Sequence, residues 1–307
     1  MTQPILSARS KRILLVFSIF ISILESAAAS APARQPEEIL RVEGHALLSP
    51  VFHFRGQYAG QPVELDIIGV IHFARNEYYD LINHLLAGYD AVGVELIVPR
   101  GTNLSSLRLK PPEARVDFSD LTSIISFLQA ILTKQLGLTS QLAAIDYRQK
   151  HLTLADIDAE TLRERLDEEP LGEAITTGNT GDTGDIYDIY DIVGIFLDLT
   201  GPKPRADLLN LAAAFAAAKD RRLTCRRLLA EFFVKNTDAL ELVPFRHLLI
   251  EERDRIAVDC AEEFLNRGNR RVALLYGAAH LRDLSERVIE RFDFTFAGAD
   301  WLTVWAW

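Results

Sequence analysis

Cysteine is nearly absent: Cys225 and Cys260 are the only two in 307 residues. No disulfide framework can staple so large a chain, and neither thiol has metal-type spacing to another Cys or to a His. Sequence leaves open whether the two form one bridge or stay as separate buried thiols. Basic charge is scarce as well, with 33 Lys and Arg against 43 Asp and Glu for a net charge of -10. That balance excludes the basic stripe a nucleic-acid binder presents to phosphates. The chain also has no phosphate-cradling glycine loop, no serine elbow and no catalytic Cys-His pattern.

The 49% hydrophobic and 25% charged content supplies a sizeable core, and no composition break divides it. One large domain is therefore predicted over residues 38–307. Ahead of it, Arg9, Lys11 and Arg12 precede an uncharged, mostly apolar run at residues 13–24, followed by the small residues 26–33. This is the order of a signal peptide, predicted over residues 1–29. As a helix the apolar run would span ~18 Å, short of the ~30 Å hydrocarbon core, so no stable transmembrane span is expected. The leader holds three basic residues and Glu25, a net of +2, which leaves -12 for the rest. The expected location is periplasmic or extracellular, either free or retained by an uncleaved N-terminal anchor.

Residues 39–42 and 51–55 read as short edge strands, 63–71 as a strong strand, 77–87 as a helix and 89–98 as a strand interrupted by Glu95. Strand, helix and strand within about thirty-five residues is the spacing of a crossover unit, so the two strands are predicted to be parallel neighbours. Helices are expected near 121–136 and 139–149, then a short strand at 152–157 and a helix over 160–167 capped by Asp158. The Gly- and Asp-rich stretch 176–191 reads as a flexible solvated insertion, since its spacing fails calcium-loop patterns. Helices at 205–236 and 245–266 lead to an apolar strand at 272–276, a helix at 281–291 and closing strands at 292–296 and 301–307. The fold class is α/β: a mixed, largely parallel central sheet flanked by helices, with a large helical insertion.

In open α/β sheets, ligands bind outside the carboxyl ends of the parallel strands. His72 ends the first strong strand, Glu95 lies late in the next, and His280 ends the apolar strand near the C-terminus. Glu95 interrupts an otherwise buried run, where an ionised carboxylate costs several kcal/mol unless it is paired or bound to a cation. Two Gly-x-x-His endings, Gly69 to His72 and Gly277 to His280, repeat one device. Two imidazoles and a carboxylate are a common ligand set for Zn, Mn, Co or Fe with an open position for water. Asp158 is the candidate general base. Arg253 either faces a developing oxyanion or is the structural partner of Glu95.

With Glu252-Arg253 upstream of the second motif and the stretch Leu152-Thr153-Leu154-Ala155-Asp156-Ile157-Asp158, this order resembles the TraB/PrgY/GumN family and its Tiki relatives. The resemblance spans about residues 63–291 and rests on motif order. It departs at Val70, where a small hydroxyl residue is frequent, and at 281–284, which lack a glycine often found after the second histidine. It implies the fold shared with erythromycin esterases and haem-binding ChaN-like proteins. It also implies a metal-dependent hydrolase, a metalloprotease or other acyl hydrolase, acting on a peptide or small acyl substrate. His72, Glu95 and His280 would hold the divalent metal, and Glu95, Arg253 and Asp158 would serve catalysis. The alternative is a non-catalytic protein holding haem or a peptide in the same cleft.

Overall fold

A computed structural model describes residues 36, 38–107, 133, 136–168, 220–235, 237 and 246–307. The predicted leader 1–29, the insertion 176–191, nearly all of the helix at 121–136 and residues 205–219 lie outside them. In chain order the strands and helices are β1 (Arg41–Glu43), β2 (Ala46–Tyr58), β3 (Gln61–Val70), β4 (Phe73–Ala74), α1 (Asn76–Leu86) and β5 (Ala91–Val94). Then come β6 (Thr139–Ser140), α2 (Gln141–Ala144), β7 (Leu152–Leu154), α3 (Ala159–Glu168) and α4 (Arg221–Lys235). A π-turn at His247–Glu251 opens α5 (Glu252–Asn266), and β8 (Arg271–Gly277), α6 (Leu281–Phe292) and β9 (Thr295–Ala306) complete the described chain.

Seven strands form one mixed sheet in which β3, β8, β5 and β7 run parallel, while β1 and β9 pair antiparallel with β2, itself antiparallel to β3. The parallel strands are near-continuous apolar runs because helices cover them, as parallel sheets require. The buried stripe of α5 (Ala257, Val258, Ala261, Phe264, Leu265) packs on β5 and β8. Leu281, Leu284 and Val288 of α6 are buried beside it, and α6 packs on α5 and β3. On α4, which packs against β1 and β9, Leu229 and Phe232 are buried.

Several expectations are corrected. β3 and β5 are parallel but not neighbours, because β8 lies between them and pairs with both. From Val272 to Gly277 every residue of β8 is buried, and a strand apolar on both faces gains most in the middle of a sheet. The stretch 51–55 is no short edge strand: it belongs to the 13-residue β2, which is flanked by β9 and β3. The two closing strands are one, β9, and helix α6 runs on to Phe292. The helix expected at 139–149 is cut to the two residues of β6 and the four of α2. Among the described residues, no helix is long and apolar enough to cross a membrane.

Candidate functional site

Four strand ends meet at one place. β3 runs out into His72, β5 into Glu95, β7 into Asp156 and β8 into the turn Ala278–His280. β5 stops at Val94, so Glu95 is the first residue past the strand, yet its N–H still bonds to the Leu275 carbonyl at 3.0 Å. That bond continues the ladder by one step and fixes where the carboxylate starts.

The centre is a buried ion network. Arg253 Nη2 donates to Glu95 Oε1 at 2.6 Å and to Asp156 Oδ2 at 2.8 Å, and its Nε donates to Asp156 Oδ1 at 2.8 Å. Nη1 donates to the Leu249 carbonyl of the π-turn at 3.1 Å. The side chains are 8% exposed for Arg253, 9% for Glu95 and 0% for Asp156, so none of these charges is screened by bulk water. The second oxygen of Glu95 accepts the Gly277 N–H. Burial works against the charge on Glu95, but His280 and Arg253 outweigh it and hold the carboxyl well below the usual carboxylate range. Burial works against Arg253 too, and the carboxylates of Asp156 and Glu95 outweigh it to keep the guanidinium charged.

The two histidines are held differently. His280 is 3% exposed, with Nδ1 2.5 Å from Asp254 Oδ1 and Nε2 3.4 Å from Glu95 Oε1. Burial would lower its pKa, but Asp254 and Glu95 raise it to about 9. Asp254 is itself pushed up to about 7 by burial, with His280 pulling the other way. His72 is partly buried and its Nδ1 lies 3.0 Å from Gln141 Oε1, a partner without charge. The loop carrying His72 is fixed at three carbonyls: Gly69 accepts from Tyr78 at 3.0 Å, Ile71 from Tyr79 at 2.7 Å and His72 from the Gln141 N–H at 2.9 Å.

Gly277 is where the groups converge. A Cβ there would lie 3.1 Å from Glu95 Oε2, 3.6 Å from His72 Nε2 and 3.7 Å from His280 Cδ2. The glycine of the first motif does other work, because a Cβ on Gly69 would lie 2.8 Å from Leu281 Cδ2 at the start of α6.

The structure thus brings His72, Glu95, Arg253 and His280 together, but not Asp158. That carboxylate accepts the Thr161 N–H at 2.8 Å as the cap of α3 and pairs with exposed Arg100 at 3.3 Å. Asp156, two residues earlier, is the one turned inward. Sequence reasoning also passed over Asp254, Gln141 and Tyr147. Asp254 had a signal: stepping back three or four residues along the buried stripe from Ala257 gives Asp254 and Arg253, two ionisable groups on the apolar face of α5.

Of the three residues expected to hold a divalent cation, Glu95 and His280 face protein partners in this arrangement. Both oxygens of Glu95 are taken, by a guanidinium and by an N–H, and Arg253 Nη1 lies 3.4 Å from His280 Nε2. A metal ion joining Glu95 to His280 would stand against a fixed positive charge. Among the described residues, no group of three or more His, Cys, Asp or Glu is arranged to hold a metal ion. No family model, no curated protein and no solved structure matches the chain.

Proposed function

We propose that the chain is an exported hydrolase of peptide bonds or another acyl linkage, related to the TraB/Tiki proteins, whose reaction is run by side chains at the strand ends. The observation that carries this reading is the unlike pair of histidines around Gly277. Asp254 and Glu95 carboxylate oxygens face the two ring nitrogens of His280, whereas the Nδ1 of His72 faces the uncharged Gln141 Oε1. Two imidazoles with unlike partners can divide the work of a base and of an electrostatic stabiliser. His72 takes the proton from the attacking water through Nε2, Glu95 stabilises the imidazolium that forms there, and His72 returns the proton to the leaving nitrogen or oxygen as the scissile bond breaks. His280 supplies positive charge beside the carbonyl oxygen as its charge builds. Every nitrogen of Arg253 is engaged, so this residue braces Glu95 and does not reach substrate.

The test is an assay of the purified protein, freed of its leader, on a panel of peptides and acyl esters with and without a chelator. We expect turnover that survives the chelator and falls by about 100-fold or more in His72→Gln, the scale of a positioned base. Activity abolished by chelation and restored by a first-row metal would instead make His72 and His280 ligands. A protein that binds haem or peptide and turns nothing over would make the site a binding cleft.

A further inference from the structure

Outside the reacting groups, a buried polar relay ends on the far side of His72. Gln141 is 3% exposed, a burial that an amide tolerates only when its donor and acceptor ends are both used. Its Oε1 faces His72 Nδ1 at 3.0 Å, and its Nε2 donates to Tyr147 Oη at 3.0 Å. The same residue's backbone N–H holds the His72 carbonyl at 2.9 Å. The pairing of β4 with β6, Phe73 against Ser140 and Ala74 against Thr139, clamps the two segments side by side. Gln141 therefore grips His72 at both backbone and ring, and Tyr147, itself 4% exposed, grips Gln141.

We propose that Gln141, oriented by Tyr147, is a positioning residue that fixes the tautomer of His72. In the structure the amide nitrogen donates to Tyr147 and the carbonyl oxygen faces the ring, and a carbonyl accepts but cannot donate. Nδ1 must then carry the proton. In the neutral ring that leaves the lone pair on Nε2, the nitrogen turned toward Gly277 and Glu95. This is the arrangement by which a hydrogen bond at one ring nitrogen decides what the other can do. A charged partner such as Asp254 on His280 selects a protonation state. An amide selects a tautomer alone, which suits a group that must accept a proton and later release it. This inference rests on the proposed role of His72 as base, but its central statement concerns the ring and is measured without substrate.

The experiment is nitrogen-15 NMR of the ring-labelled full chain, with the His72 signals assigned by their loss in His72→Gln. We expect the Nδ1–H form in the wild type, a mixture with the Nε2–H form in Gln141→Leu, and a retained Nδ1 proton in Gln141→Glu, whose carboxylate also only accepts. Tyr147→Phe, which removes the hydroxyl bonded to Gln141, should mix the tautomers by freeing the amide to turn over. Thermal melting of each variant separates these shifts from unfolding. On an active substrate, Gln141→Leu should lower kcat by about tenfold or more with KM little changed, and Gln141→Glu should recover part of it. An Nε2–H ring in the wild type, or a ring indifferent to both Gln141→Leu and Tyr147→Phe, overturns the assignment. The expected tautomer in a protein that hydrolyses nothing leaves it standing and removes only the hydrolase reading.

Discussion

Glu95 is satisfied on every side, and so the effect of changing it can be reasoned through atom by atom. In Glu95→Gln one end of the amide must point an N–H group at a donor, either the Arg253 guanidinium or the Gly277 N–H. The cation also loses one of its two carboxylates in a buried site. Breaking a buried pair costs about 3 to 5 kcal/mol, and because Arg253 keeps Asp156 we expect the lower end, near ~3 kcal/mol, by chemical denaturation. A variant as stable as the wild type would show that the pair contributes nothing and would free Glu95 for a ligand's role. Glu95, His72 and His280 were legible in the sequence because each is a polar residue at the end of an apolar run. Asp156 and Gln141 were not, since each follows an element only two or three residues long, too short for periodicity to say which way a side chain turns.

The two Gly-x-x-His strand ends look alike in sequence and differ in what surrounds their glycines. Gly277 has φ -53 and ψ 141, a backbone that alanine adopts freely, so Gly277→Ala should leave stability within about 1 kcal/mol of the wild type. Its Cβ would nevertheless press on the Glu95 carboxylate, and hydrolysis should fall by about tenfold or more. In Gly69→Ala the new methyl meets Leu281 at 2.8 Å and the Pro50 carbonyl at 3.2 Å. That is overpacking between strand and helix, expected to cost about 1 to 3 kcal/mol with a smaller effect on turnover per folded molecule. Melting curves and rates on both variants check the contrast, which fails if Gly277→Ala loses stability and keeps activity. The strand pattern itself was readable for β3, β5 and β8, yet their spatial order was not. Local spacing describes a crossover between β3 and β5, but it carries no sign that a strand arriving almost two hundred residues later, apolar on both faces, will be inserted between them.

At the scale of the whole chain, the buried charges tie folding stability to pH. Cys225 and Cys260 stand apart from this: they are unpaired, and burial pushes both thiols up to about 12. A reductant should therefore leave the melting temperature unchanged, and a drop on reduction would reveal a bridge. The groups that respond to pH sit at the site. His280 has an ordinary value of 6.5 and is held at about 9 in the fold, so the folded state binds its proton more tightly than the unfolded chain does. Its contribution is complete below pH 6.5 and is lost as the pH rises through 9, on the order of 3 kcal/mol at ~1.4 kcal/mol for each pH unit. Asp254, raised to about 7 by burial, acts in the same direction over a lower range. Glu95 acts oppositely: its pKa is lowered, so its stabilisation is present above the ordinary carboxylate range and is lost in acid. Urea denaturation between pH 4 and pH 9 should give a maximum just above the ordinary carboxylate range and a limb that falls from there to pH 9, its part from 6.5 to 9 owed to His280. His280→Gln should be less stable at pH 6 and show that limb flattened. A wild type equally stable at pH 6 and pH 9, or a His280→Gln curve with the limb intact, would mean that the imidazolium between Asp254 and Glu95 does not form.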